Sequence, residues 1–365
     1  MSHPWLEKIK VVNFRNISSD VITFGNGINC IFGDNGNGKT NILEAINFLI
    51  HKKSFRKNTA FPQILSIDCE ESEIIFSSVF VVEGERKTLS AKISSDSSSW
   101  FYNQEPLRGK NPVSCIFINP FDSYHFFNSS TFRRKWFDEH ISLWDVDYKK
   151  KLRDYHQSLK FRNTLLAKKP SYFLDQIFAI DENLANVSKL IIEKRCIFLN
   201  EISDFYKKTF KAIFSEENDL EIQYESKMIG LTDLEIKNIL KKNIEKDKIL
   251  GHTAYGIHKD DYTPYFNGLR SFDYCSLGQQ KMSYLSLIFA YIELLRYKYR
   301  VYPVVLIDDV SGELDKERWG NLINYLKICK YQVLITTANE SFQKELEKIN
   351  GATKILVANG RILKN

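Results

Sequence analysis

A chain of 365 residues with 43% hydrophobic and 26% charged residues has ample apolar material for a folded core, which excludes the disordered and fibrous classes. Its formal net charge of +6 favours a polyanionic partner, because clustered lysines and arginines release counterions when they meet phosphates. The six cysteines (Cys30, Cys69, Cys115, Cys196, Cys275 and Cys329) are scattered without a CxxC pair, which argues against a zinc site or disulfide framework and for reduced thiols.

The opening residues include Glu7 where a signal peptide needs an unbroken apolar core. No stretch approaches the roughly 20 apolar residues that span a bilayer. The expectation is a soluble, cytoplasmic protein with no membrane partner. Leu6 to Phe14 alternates as a strand, and Gly27 to Phe32 reads as a short apolar strand leading through a glycine-rich loop to Ile42, Ile46 and Leu49 at helical spacing. From Glu73 to Ile93, apolar runs broken by Glu83-Gly84-Glu85 predict an antiparallel hairpin or meander, followed by a surface loop at Ser94 to Ser99.

Between Ser129 and Leu250 the pattern becomes long, lysine-rich and helical, with Leu152, Tyr155, Leu159 and Leu166, then Leu184, Val187, Ile191 and Phe198 on apolar stripes. Here Lys241, Lys242, Lys246 and Lys248 read as a solvated face. Sheet character returns after Tyr255. Val304 to Ile307 and Gln332 to Ile335 bracket a helix at Lys316 to Leu326, as in parallel α/β units, and Lys354 to Ile362 closes as a hairpin. The expected organisation is an α/β domain built from residues 1–128 and 251–365, with a helical lobe, residues 129–250, inserted between them.

Three motifs carry chemistry. Gly33-Asp34-Asn35-Gly36-Asn37-Gly38-Lys39-Thr40 matches GxxxxGK[ST] between a strand and a helix, so its backbone N–H groups would cradle the phosphates of ATP. Lys39 would reach the β and γ phosphates, and the Thr40 hydroxyl would ligate Mg²⁺. The apolar strand Val304-Val305-Leu306-Ile307 ends in Asp308 and Asp309; the first would hold the Mg²⁺ shell, the second would orient or deprotonate the attacking water. A glycine-rich turn and an acidic strand end are each commonplace alone; their pairing favours a nucleotide site. Ser276-Leu277-Gly278-Gln279-Gln280-Lys281 precedes an apolar helix. There Ser276 is either a plain N-cap or part of a segment that resembles the ABC signature motif SGGQ.

Asn13-Phe14-Arg15-Asn16, Gly38-Lys39-Thr40-Asn41, Leu43-Glu44-Ala45-Ile46, Ser54-Phe55-Arg56, Arg133-Arg134, His258-Lys259-Asp260-Asp261, Asn267-Gly268, Gly278-Gln279-Gln280 and Glu313-Leu314-Asp315 follow one another along the whole chain. In that order they resemble the RecF family, which lacks the long coiled coil of its SMC and Rad50 relatives. The resemblance implies an ABC-type ATPase head, a P-loop NTPase with a mixed β-sheet lobe and an inserted α-helical lobe. It further implies that Ser276, Gly278 and Gln279 of one protomer meet the nucleotide held by the other, so that ATP closes a homodimer on DNA without sequence readout. Ser311-Gly312-Glu313-Leu314-Asp315 would be the D-loop communicating across that dimer. Slow DNA-dependent hydrolysis, partnership with RecR and RecO, RecA loading at gaps and SOS induction follow by the same resemblance.

The chain departs from the family pattern in places. Gly256-Ile257-His258-Lys259-Asp260-Asp261 stands where Gly-Pro-His-Arg-Asp-Asp is usual, and Gly312 stands in place of Ser. Thr336 and Thr337 occupy the place of the transporter switch histidine, and Asn119-Pro120-Phe121-Asp122 that of a Q-loop glutamine. Arg15 and Arg56 could equally touch phosphates or serve the fold; Arg133, Arg134 and Lys135 could position DNA or form a solvated helix turn. His258 is either a general base or a strand-end partner of its neighbouring carboxylates. An SMC- or Rad50-like architectural head is the main rival. It predicts long heptad arms, for which residues 129–250 are too short. A transporter ATPase subunit is a weaker rival, given the missing switch histidine and Q-loop glutamine.

Overall fold

The computed structural model describes the chain except residues 1–2, 57, 68, 70–71, 120, 215–216, 310–313 and 364–365. The first part runs β1 (Trp5–Val12), β2 (Val21–Thr23), β3 (Ile28–Phe32), α1 (Lys39–His51), a single turn α2 (Phe61–Ile64), β4 (Glu73–Val82), β5 (Glu85–Ser94), β6 (Ser98–Tyr102), β7 (Glu105–Pro106) and β8 (Cys115–Ile118). A helical stretch follows: α3 (Phe121–Asn128), α4 (Ser130–Trp144), α5 (Val146–Lys168) and α6 (Phe173–Ile213). Then come β9 (Leu220–Glu225), α7 (Asp233–Lys242), α8 (Ile244–Leu250), β10 (Asp261–Phe266), β11 (Leu269–Arg270), α9 (Ser271–Tyr274) and α10 (Leu277–Leu294). The chain ends in β12 (Val304–Ile307), α11 (Lys316–Ile328), β13 (Val333–Thr337), α12 (Glu340–Glu347), β14 (Thr353–Ala358) and β15 (Arg361–Leu363).

Two compact units result: Met1–Phe121 with Ala212–Phe214 and Tyr291–Asn365, and Asp122–Lys211 with Ser215–Ala290. The first unit holds two six-stranded sheets, one antiparallel (β2-β1-β4-β5-β6-β7) and one mainly parallel (β15-β14-β3-β13-β12-β8). Alternating burial along β4 and β5 turns one face of the antiparallel sheet inward, and Glu83-Gly84, both at positive φ, makes the tight turn between them. The strands of the parallel sheet are instead buried on both faces: every residue of β3, β12 and β13 is inside, as continuous Val/Ile/Leu runs require. One apolar core joins both sheets and α1, from Leu6 and Phe14 through Ile42 and Leu49 to Phe76, Leu306 and Val357.

The second unit wraps α3 to α8 and the first turns of α10 around a three-stranded antiparallel sheet, β11-β10-β9. Phe137 of α4 stacks on Tyr262 of β10 at 3.7 Å between ring centroids. The helical pattern between Ser129 and Leu250 predicts no strand. β9 nonetheless lies there, pairing antiparallel with β10 from Leu220↔Phe266 to Glu225↔Asp261. A six-residue alternating run acquires its meaning only from a partner some 40 residues along. That pairing also carries residues 251–290 into the second unit, where sequence character puts the boundary near Leu250. Likewise the expected loop at Ser94 to Ser99 is a tight turn, with Ser98 already in β6.

Candidate functional site

The glycine-rich loop leaves the carboxyl end of β3 and enters α1. Open α/β sheets present ligands at the carboxyl ends of their parallel strands, and β8, β12 and β13 end alongside in parallel register. Gly33 sits at φ +145°, and a Cβ there would lie 2.2 Å from the Val357 carbonyl oxygen, so only glycine fits. Helix α1 begins after Gly38 with no side-chain cap and no acidic residue in its first turn, which leaves its first N–H groups for an anion.

Lys39 is buried and donates from Nζ to the carbonyls of Gly33 at 2.7 Å and Asp34 at 2.9 Å, which folds the ammonium over the loop. Burial lowers its pKa against the opposing pull of Asp309, Asp308 and Asp34. The Thr40 hydroxyl lies 2.9 and 3.0 Å from the two carboxylate oxygens of Asp308, and Thr336 at the end of β13 donates to Asp308 Oδ1 at 2.8 Å. Desolvation raises the Asp308 pKa, while these two hydroxyls oppose the rise. Asp309 is exposed at φ +39°, a strained backbone setting for a non-glycine residue, and its N–H donates to Thr336 Oγ1 at 3.1 Å. The sheet therefore brings Gly33 to Thr40, Asp308 and Asp309 together from opposite ends of the chain.

The loop is held by residues to which the sequence assigns no role. Asn16 donates to the Gly36 carbonyl at 3.1 Å and accepts from Asn41 at 2.7 Å. From the hairpin turn between β14 and β15, the N–H of Gly360 donates to the Asn37 carbonyl at 3.0 Å and that of Asn359 to Asn37 Oδ1 at 3.2 Å. A Cβ on Gly360, at φ +75°, would lie 1.6 Å from the Asn16 carbonyl oxygen, so this turn too admits only glycine. Pure spacing could not find these contacts, although Asn-Gly is itself a hairpin signal. Glu44, fully buried in α1, takes Arg15 through two hydrogen bonds at 2.8 and 3.1 Å, Ser54 at 2.6 Å and Arg56 at 3.3 Å. Arg15 is thus committed to the fold. Arg56 also reaches Asn41 Oδ1 at 2.6 Å while staying partly exposed.

The remaining predicted residues lie in the second unit. Ser276 accepts from the Gln279 N–H at 3.3 Å, and Gln279 Oε1 accepts from the Ser276 N–H at 2.9 Å, a reciprocal capping box opening α10. Ser276 is nonetheless exposed, and a Cβ on Gly278 would meet nothing closer than Ser276 Oγ at 4.0 Å. The cap and an approachable surface coexist. Residues 311–313 of the expected D-loop and Pro120 of the Asn119 segment lie outside the described residues; Asp315 caps α11 by accepting from the Arg318 N–H at 2.9 Å.

His258 is neither general base nor strand-end ion pair. Its Nδ1 meets the Tyr155 hydroxyl at 2.7 Å and its Nε2 the Thr253 carbonyl at 3.1 Å, an arrangement that fits the neutral ring, and burial lowers its pKa to about 4. Arg133 is buried, bidentate on Asp261 at 2.7 Å for both bonds, and Arg134 donates to the Asp260 carbonyl at 2.6 Å. Arg133 serves the lobe's interior, while Arg134 stays half-buried with Thr131 as its second partner. Lys135 stays exposed, 3.7 Å from Glu139.

Among the described residues, no group of three or more His, Cys, Asp or Glu side chains could hold a metal by itself, and no helix is long and apolar enough to cross a membrane. Comparison with known proteins is consistent along the whole chain. The family described as RecF/RecN/SMC N terminal domain matches residues 5–358. The DNA replication and repair protein RecF of Clostridium acetobutylicum is 30% identical over 98% of this chain and 99% of that one, and its counterpart in Clostridium kluyveri is 29% identical with the same coverage. A solved recombination mediator protein RecF with ATP superposes with a TM-score of 0.81 at 27% identity, covering 100% of both chains. An Smc head from Pyrococcus furiosus shares the fold, with a TM-score of 0.60, 14% identity and coverage of 99% of this chain and 96% of that one. With the ABC-type head fold and its loop geometry already in place, the chain belongs to the RecF family of DNA replication and repair proteins, within the wider RecF/RecN/SMC group.

Proposed function

We propose that the chain binds ATP with Mg²⁺ in the Gly33 to Thr40 loop and uses it to close a homodimer on DNA. The observation that carries this reading is the approach of the Thr40 hydroxyl to both oxygens of Asp308, at 2.9 and 3.0 Å. Two hard oxygen donors at a phosphate cradle fit Mg²⁺, which is held through one or two carboxylates together with substrate phosphates. A bound ion would supply charge neutralisation at the outer phosphates. Gly33, Asp34, Asn35, Gly36, Asn37 and Gly38 offer the backbone cradle, Lys39 offers its ammonium to the outer phosphates, and Asp309 orients or deprotonates the attacking water. The approachable turn at Ser276, Gly278 and Gln279 completes the site of a second protomer.

DNA is held through phosphates rather than bases, turnover is slow, and the ATPase lobe carries the helical lobe as its insert. The RecFOR context named for the ATP-bound relative supports a role in the cytoplasm with RecR and RecO, and through them RecA loading at gaps and SOS induction. An SMC-like architectural head shares the fold, but α5 and α6, at 23 and 41 residues, are short for tethering arms. Sedimentation with ATP, Mg²⁺ and gapped duplex tests the proposal. Wild type should dimerise only with ATP, Lys39→Arg should dimerise while hydrolysing more slowly, and Ser276→Arg should bind ATP yet stay monomeric. A dimer undiminished in Ser276→Arg refutes the two-protomer site.

A further inference from the structure

Helix α5 presents an unusual solvent face. At about 100° per residue, Lys149, Lys150, Arg153, Lys160 and Lys168 fall within an arc of about 100°, while buried Tyr148, Tyr155, Arg162, Leu165 and Leu166 face the other way. The cations extend over about 28 Å at 1.5 Å per residue. All five are exposed, and none has an ion pair among the described residues. The acids of the helix, Asp147 and Asp154, lie off this arc. Four lysines elsewhere in the unit are engaged: Lys237 with Glu182 at 2.9 Å, Lys248 with Glu245 at 2.9 Å, Lys241 over the Phe178 ring and Lys246 over the Tyr255 ring. The α5 face has kept its charges unpaired.

Two exposed aromatics accompany the cations. Phe161 is 53% exposed beside Lys160, and Tyr172 is 81% exposed just beyond Lys168 and Lys169. Tyr172 sits at φ +59° and Lys169 at φ +47°, so the connection to α6 adopts left-handed backbone at two non-glycine residues. A shallow open depression of about 520 Å³, floored by Leu159 and Ala167 and flanked by Lys160 and Lys168, runs along the same helix.

We infer that this face is a track for single-stranded DNA: phosphates on Lys149, Lys150, Arg153, Lys160 and Lys168, bases stacked on Phe161 and Tyr172. Unpaired cations with interspersed aromatics are the two elements that single-strand binders combine. A second copy of the chain meeting this face with its own would bring like charge against like. An acidic protein segment would satisfy the cations and leave both rings in water. The inference rests on the DNA-binding reading above and deepens it, giving the strand at a gap its own surface.

The test uses the full-length protein, ATP and Mg²⁺, and fluorescence anisotropy with oligo(dT) and with duplex of equal length across a salt series. In the triple variant Lys149→Gln/Arg153→Gln/Lys160→Gln, the log–log salt slope for oligo(dT) should become shallower by about 2, at about 0.7 for each phosphate no longer neutralised. The slope for duplex should hold. Tyr172→Ala should weaken oligo(dT) at least about fivefold at constant salt slope, since stacking carries no counterions. Unchanged thermal melting establishes that the variants fold. If the triple variant keeps the wild-type slope, or loses duplex and single strand equally, or if polyglutamate competes as well as oligo(dT), the track is refuted. A wild type that binds no DNA at all refutes the proposed function itself, a distinct result.

Discussion

Lys39 in the first unit and Arg195 in the second are both buried cations, 7% and 1% exposed, but their partners differ in kind. Lys39 rests on two neutral backbone carbonyls. Arg195 grips Asp138 at 2.9 and 3.0 Å and Asp260 at 3.1 Å, and Arg162 does the same between Asp181 and Asp247, at 2.6 Å to each. Charge matched by charge is a finished structure. A cation on carbonyls, beside an aspartate held only by hydroxyls, is a site whose contacts can be exchanged for a ligand's at less cost than those of a buried ion pair, since each charge's present partners are neutral groups. Charge type alone does not separate the two regions; the nature of the partner does.

The largest effect expected from this contrast is at Arg195. Arg195→Ala leaves Asp138 and Asp260 buried without compensation and should cost about 3–5 kcal/mol in urea unfolding. Retained stability would make the second unit's network as exchangeable as the first's.

Next comes acid. His258 is half-buried and neutral, and its pKa falls from 6.5 to about 4, so the unfolded chain binds its proton first. The stability it contributes is therefore complete above pH 6.5 and is lost as the pH falls towards 4, by about 3 kcal/mol in all. Asp260, pushed up to about 6 by burial, acts in the opposite sense, gaining stability as the pH falls through that value. Its contribution is common to wild type and His258→Asn and cancels in their difference. The variant should show the flatter stability curve between pH 6.5 and 4, read by denaturant titration at each pH.

Thr336→Val removes the donor to Asp308 and the acceptor for the Asp309 N–H, and should cost about 1–2 kcal/mol while raising the Mg²⁺ needed for nucleotide binding. Thr336→Ser should restore both. The smallest change in stability is expected for Lys39→Ala, within about 1 kcal/mol because only neutral partners are left behind, although nucleotide binding measured by calorimetry should vanish. Equal destabilisation by Lys39→Ala and Arg195→Ala would erase the distinction.

Much of the first unit was legible in the sequence because its signals are local. A buried parallel strand writes itself as a continuous apolar run, as at Val304 to Ile307, and a phosphate loop needs its glycines, Lys39 and Thr40 at fixed intervals. Ser276 as a cap was equally local, since Gln279 stands three residues on. The supports of the site were not legible: Asn16 and the Asn359-Gly360 turn reach the loop, and Thr336 reaches Asp308 and Asp309, from three distant segments, through polar side chains and backbone groups that carry no periodicity. The role of His258-Lys259-Asp260-Asp261 was hidden for a related reason, as the partners Tyr155, Arg195 and Arg133 come from three different helices.

The sequence by itself determined the strand–loop–helix that bends backbone N–H groups around an anion, the two carboxylates at the end of Val304 to Ile307, and the family to which the chain belongs. Only the tertiary structure decided that β9 pairs with β10, that Arg15 is spent on Glu44, and that Arg162 of α5 is held between two buried carboxylates while the exposed cations of the same helix stand unpaired. The physical reason is one of range. Covalent spacing and backbone stereochemistry act over a few residues and leave a pattern in the chain, whereas the partner of a buried charge or a lone strand is chosen by packing between segments far apart in sequence.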